Sequence, residues 1–263
     1  MVTSSTDGRV NFWSLASLRE PVESIQVGES VSCFAVAPES ESLILGDENG
    51  ALFAVSSSSQ STGQRSSRKH ARKLDSTNAE GENFGHYGMV TSVSTKTLKK
   101  GTSSSANAQS AGLSKGFLRG VGGLVLSSGV DWTVKLWHPV YSESPLLSMV
   151  SHSYDYMSHV QWSPSHPSLF ATASSNGTVG LWNLATSMEE PLTGQDGLVI
   201  EPDAMSGRGL NKLKWSTDGR RMAVASADRV HVLGFTEDVI RPKGDEESKV
   251  MNQLMTRGLI SRQ

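Results

Sequence analysis

Residues 127–137 read SSGVDWTVKLW, with His138 next. Asp131 falls in a short turn, and the run from Thr133 to Trp137 then alternates so that every second side chain points to one face. Turn residues that tolerate positive φ, followed by period-two alternation, predict the turn and returning strand of a hairpin. The pattern recurs at residues 4–13 (SSTDGRVNFW), 46–55 (GDENGALFAV), 174–182 (SSNGTVGLW) and 227–233 (ADRVHVL). Each recurrence puts Asp or Asn in the turn, usually with Gly, and its strand ends on an aromatic or aliphatic residue. Self-similarity at roughly 40–45 residues predicts an array of small sheets, each burying its faces against its neighbours.

This turn chemistry and period resemble the WD repeat, which implies an all-β fold, a β-propeller. Five blade endings fall at Trp13, Val55, Trp137, Trp182 and Leu233. They predict a partial propeller of about four to five blades from a domain of about seven. Because Val2 already lies inside a repeat, the expectation is a fragment that lacks N-terminal blades. An open arc of that kind leaves sheet faces and edges uncovered and is expected to be marginal and aggregation-prone. In this repeat class a turn Asp, a strand Ser or Thr and an upstream Gly-His can hold the closing Trp. The resemblance assigns one full set, His86, Ser127, Asp131 and Trp137. It assigns two partial ones, Thr3, Asp7 and Trp13, and Thr172, Asn176 and Trp182. An Asp-His-Ser set in this setting reads as buried hydrogen bonding, not as a catalytic triad.

The 263 residues carry 24 basic and 26 acidic side chains, a balance that argues against a nucleic-acid or membrane binder. Residues 65–119 depart from it, with ten Lys or Arg against three Asp or Glu. One cysteine, Cys33, excludes an internal disulfide and fits a reducing compartment. No apolar run approaches the roughly 20 residues of a membrane span, and the N-terminus has no basic-then-apolar leader. The expectation is a soluble intracellular protein.

Along the chain, residues 1–239 read as the repeat domain and 240–263 as a charged tail with a short amphipathic helix near 248–259, Val250, Leu254 and Met255 on one side. Two stretches, about 56–83 and 96–120, are rich in Ser, Lys and Arg; their polarity predicts disordered inserts. The run 65–73 (RSSRKHARK) is open to reading as a solvated loop, an import-like signal, a phosphate-binding patch or a phosphorylated regulatory loop. His70, His138 and His166 show no metal-ligand spacing, and the glycines at 120–123 lack the Gly-Lys-Ser ending of a phosphate cradle. No metal, cofactor or active site is expected.

A more particular resemblance starts at residues 130–137 (VDWTVKLW) and continues through 154–171 (YDYMSHVQWSPSHPSLFA), 181–184 (LWNL), 209–216 (GLNKLKWS) and 5–15 (STDGRVNFWSL). These blocks look like the C-terminal WD-repeat region of dynein intermediate chains. The resemblance implies a non-catalytic scaffold subunit of the dynein motor, located on cytoplasmic microtubules and supporting cargo movement. Its propeller would bind dynein heavy chain, with light chains and dynactin bound through an N-terminal region that this sequence lacks. The alternative from another class is a WD-repeat adaptor of a ubiquitin-ligase or chromatin complex, which the basic inserts would suit; an enzyme built on a propeller is a third. Trp132 lies in a turn and need not be core, so with Tyr154 and Tyr156 it forms either an aromatic protein-binding centre or a set of rings packed on one another.

Overall fold

A computed structural model describes residues 1–37, 42–57, 69–74, 77, 81–96, 122–139, 141–151, 154–194, 196–200 and 209–260. Its strands form five antiparallel meanders that follow chain order. The first is β1 (Val2–Ser4), β2 (Arg9–Phe12) and β3 (Glu23–Gln26). The second is β4 (Val31–Ala37), β5 (Ser42–Asp47), β6 (Leu52–Ser57) and β7 (Lys69–Lys73). The third is β8 (Val90–Thr95), β9 (Val125–Gly129), β10 (Thr133–Trp137) and β11 (Leu147–Val150). The fourth is β12 (Met157–Trp162), β13 (Leu169–Ser174), β14 (Thr178–Asn183) and β15 (Leu198–Val199). The fifth is β16 (Lys212–Trp215), β17 (Arg221–Ala225) and β18 (Val230–Gly234). Two helices follow, α1 (Glu237–Ile240) and α2 (Glu246–Thr256).

Period-two alternation explains how the sheets stack. On β5, Leu43 and Leu45 join Val10, Ile25 and Phe53 in a core against the first sheet, whereas Ile44 joins Leu52, Val90 and Trp137 against the third. On β13, Phe170 faces the third sheet with Trp162 and Trp182, while Leu169, Ala171 and Ala173 pack with Leu213, Trp215 and Met222 of the fifth. Both faces of an inner strand are therefore apolar, which is why β5 and β13 are buried along their whole length. Four such cores join successive sheets, and among the described residues none joins the fifth sheet to the first. The molecule is a partial WD-type β-propeller of five blades.

Two expectations change. Each strand that closes a repeat is followed by a further, outer strand in blades one to four, and the sequence reading left these, β3, β7, β11 and β15, out. The stretch 56–83, read as a disordered insert, contains β7, which pairs with β6 from Ser57↔Lys69 to Phe53↔Lys73. An outer strand needs little apolar surface: Ala71 packs on the core, and Arg72 pairs with Glu143 and donates to the Pro139 carbonyl at 2.8 Å. Leu74, one residue on, is buried. The lysines that argued against burial are the charges that protect an edge strand from pairing with other chains. The rest of both inserts, residues 58–68, 75–76, 78–80 and 97–120, lies outside the described residues.

Helix α2 buries Val250 and Leu254 in the core between blades three and four, beside Leu124, Leu146, Leu184 and Met188, while Met255 stays partly exposed. Its first turn carries a buried carboxylate. Glu246 Oε2 lies 3.1 Å from His166 Nε2 and 3.0 Å from Ser168 Oγ, which also bonds Asn183 Oδ1 at 2.8 Å. Lys96, buried nearby, donates from Nζ to the carbonyls of Ser163, at 2.7 Å, and His166, and sits 5.4 Å from the Trp162 ring centroid. Burial pushes its pKa down to about 7, against the opposing pull of Glu247. Nothing in the spacing of these residues announces the cluster, because Lys96 and Glu246 are 150 positions apart in sequence.

Candidate functional site

In an antiparallel meander, the turn between second and third strands and the link to the next blade share one end of the sheet. At that end of blades two to four the backbone is stitched across segments. Tyr87 N–H donates to Asp131 Oδ2 at 3.0 Å, Val130 N–H to the Met89 carbonyl at 3.1 Å, and Ser151 N–H to the Trp132 carbonyl at 2.8 Å. The turn of blade two presses on the same link: a Cβ at Gly50 would strike the carbonyls of His86 and Gly88. Residues 46–51, 83–89, 130–133, 151 and 154–156 thus form one surface.

Beneath it lies the network of blade three. His86 Nδ1 bonds Asp131 Oδ1 at 2.9 Å, His86 Nε2 bonds Ser127 Oγ at 2.7 Å, and Trp137 Nε1–H donates to Ser127 Oγ at 2.8 Å. Thr133 adds its hydroxyl, 2.8 Å from Asp131 Oδ1. Burial lowers the pKa of His86, so the ring is neutral near pH 7. Burial would raise that of Asp131, but the hydrogen bonds from His86, the Tyr87 amide and Thr133 outweigh it and hold the carboxyl at about 2. Gly129 makes room for the pair, since a Cβ there would sit 2.6 Å from His86 Nδ1 and 2.7 Å from Asp131 Oδ1. Ser127 is fully buried and already holds the indole N–H, so no substrate reaches its hydroxyl. The arrangement ties the turn at Asp131 to the strand that carries Trp137.

The partial sets are smaller. Trp13 Nε1–H donates to Thr3 Oγ1 at 2.8 Å, and Trp182 Nε1–H to Thr172 Oγ1 at 3.3 Å. Asp7 accepts from the Arg9 amide and Asn176 from the Thr178 amide, each at 3.0 Å; both close their own turns and are not bonded to the tryptophans. The single thiol, Cys33, has its pKa raised to about 11 by burial and stays protonated near neutrality.

Above the network, Trp132 and Tyr154 meet edge to face, with ring centroids 5.8 Å apart and planes at 88°. They remain 44% and 68% exposed. They are also the two non-glycine residues with positive φ among those described, at 65° and 54°. Left-handed backbone at an aromatic residue is disfavoured by about 1–2 kcal/mol, so a ring at each position, left largely in water, points to a use outside the fold. Tyr156 is exposed on the same surface. Sequence reading missed Tyr87, which is 70% exposed beside them. Its signal was available, because it follows the Gly85-His86 pair that marks the blade.

Five stacked meanders and the Asp-His-Ser-Trp set define a WD-type propeller fold; residues 143–183 match the family of the WD domain, G-beta repeat. More particularly, the chain is 28% identical over 262 residues to the cytoplasmic dynein 1 intermediate chain of Drosophila melanogaster. That match takes in 97% of this chain and spans about a third of the relative's length, 33%. The resemblance read from residues 130–137 thus extends along almost the whole sequence.

Proposed function

We propose that this chain is the WD-repeat part of a dynein intermediate chain, a non-catalytic subunit that binds dynein heavy chain and supports transport along microtubules in the cytoplasm. The observation that carries the reading is the collinear match to the fly protein across 97% of the chain, which takes in weak and strong blades alike. A match confined to residues 143–183 would have supported a WD repeat and nothing narrower. The burial of Ser127 and of Ser168 supports a scaffold over an enzyme, since both carboxylate-His-Ser constellations among the described residues, Asp131-His86-Ser127 and Glu246-His166-Ser168, are closed to substrate. Light chains and dynactin are the further partners this reading implies, through sequence beyond the matched third of the relative.

Affinity capture of the tagged protein from its own cells, followed by mass spectrometry, tests the reading. Dynein heavy chain, light chains and dynactin are the expected co-purifying proteins. Recovery of ubiquitin-ligase or chromatin subunits with no motor component would sink the dynein assignment and leave the repeat fold standing.

A further inference from the structure

The turn end of blades two and three has a charge pattern that its aromatic rings alone do not explain. Five sets of described residues build it: 27–31, 46–52, 81–90, 129–133, and 150–151 with 154–157. They contain Glu29, Asp47, Glu48, Glu82, Asp131 and Asp155, and neither Lys nor Arg. Glu29 and the turn that carries Asp47 and Glu48 are contiguous in space. Asn49 Nδ2 donates to Glu29 Oε2 at 2.8 Å, Asp47 Oδ1 accepts from the Asn49 and Ala51 amides, and this turn abuts the His86–Gly88 backbone that carries Tyr87. Asp155 lies between Tyr154 and Tyr156. Asp47 and the Asp131 side chain are buried, Asp131 with the buried Lys135 nearby, so the carboxylates that face solvent are those of Glu29, Glu48, Glu82 and Asp155.

We propose that this surface binds an extended peptide bearing Arg or Lys, with a cationic head seated against Trp132, Tyr154 and Tyr87 and paired with the carboxylates around them. Ring faces attract cations through their quadrupole, and a guanidinium can stack on a ring while bonding a carboxylate edge-on. An acidic rim repels nucleic acid, phosphopeptides and anionic lipid, which leaves basic protein segments as the complementary class. The strained φ values at Trp132 and Tyr154 fit this use, because left-handed turns aim both rings outward where a small residue would be sterically easier. The inference stands on this geometry and does not depend on the dynein reading.

The test is fluorescence anisotropy with the full chain and a labelled Gly-Ser peptide carrying several Arg, beside versions with Lys, Gln or Glu in their place. Saturable binding of the Arg and Lys peptides is expected, weakening as salt screens the carboxylates. Trp132→Asn, which suits a left-handed turn, should weaken the Arg peptide about tenfold, with an unchanged melt to show that the fold is intact. Trp132→Phe should restore most of the loss, Asp155→Asn should reduce both affinity and salt dependence, and Leu18→Ala, away from this surface, should change neither. Equal binding of the Gln or Glu peptides, indifference to Trp132→Asn, or no saturation by any basic peptide would overturn the proposal.

Discussion

Two tryptophans five positions apart separate fold from function at the scale of the residue. Trp137 is buried and hydrogen-bonded, so Trp137→Ala should cost about 3–5 kcal/mol in urea unfolding. Trp132→Asn should change stability by less than about 1 kcal/mol, because relief of left-handed strain offsets the lost edge contact with Tyr154. A loss above about 2 kcal/mol would mean that the Trp132 ring belongs to the core after all. Protons give a second handle. Burial lowers the pKa of His86, His138, His159 (to about 4) and His166. A group whose folded pKa is depressed adds stability above its unfolded value that is lost as pH falls through the folded one. Stability should therefore decline on acidification from about pH 6.5, the ordinary histidine value. Asp131, held at about 2, has the same sign lower down: its contribution is present above about pH 4 and lost towards pH 2. Melting temperature against pH would show the first decline in the wild-type chain, and His86→Gln should flatten part of it. A flat profile from pH 7 to 5 would contradict the neutral, buried histidines.

Elements differ in how plainly sequence announces them. The hairpin of β9 and β10 was legible because turn residues and strict alternation coincide at 127–137, and the same held for β13 with β14 and β17 with β18. Outer strands were not. The β15 strand is two exposed residues, and β7 is a lysine-rich run with one apolar contact, so neither carries a periodic signal. Pairing with β6, a tertiary effect, makes β7 a strand. The candidate site was half legible: Trp132 stood out as an unusual turn residue, whereas Tyr87 is brought beside it by the fold, through its amide on Asp131; outside the site, the partnership of Glu246, His166 and Ser168 is set by the docking of α2. That docking is testable. Leu254→Ala should destabilise the chain by about 2–5 kcal/mol and expose residues after 240 to limited proteolysis before the blades are cut. Simultaneous digestion of tail and blades would show that the helix is not a separable layer.

Across the whole molecule, stacked sheets make stability a sum of neighbour interfaces, and the end blades have only one neighbour each among the described residues. The fifth sheet ends on β18, whose Val230 and Val232 are each 67% exposed on a strand paired along β17 alone. Trp13 and Thr3 similarly lie at the first sheet, half-buried. The isolated chain should associate as its concentration rises, and Val232→Lys should suppress this in light scattering while changing stability by less than about 0.5 kcal/mol. Monomeric behaviour of the parent chain at high concentration would refute that expectation. The seat of α2 also sets an order of events during synthesis. The core between blades three and four is closed by Val250, Leu254 and Ile260, whereas its other members lie between Leu124 and Met188. A ribosome must therefore add some seventy further residues after Met188 before that apolar pocket is sealed. During that interval, on the order of 4–14 s at ordinary elongation rates, the nascent chain presents leucines and methionines to whatever chaperone is waiting at the exit.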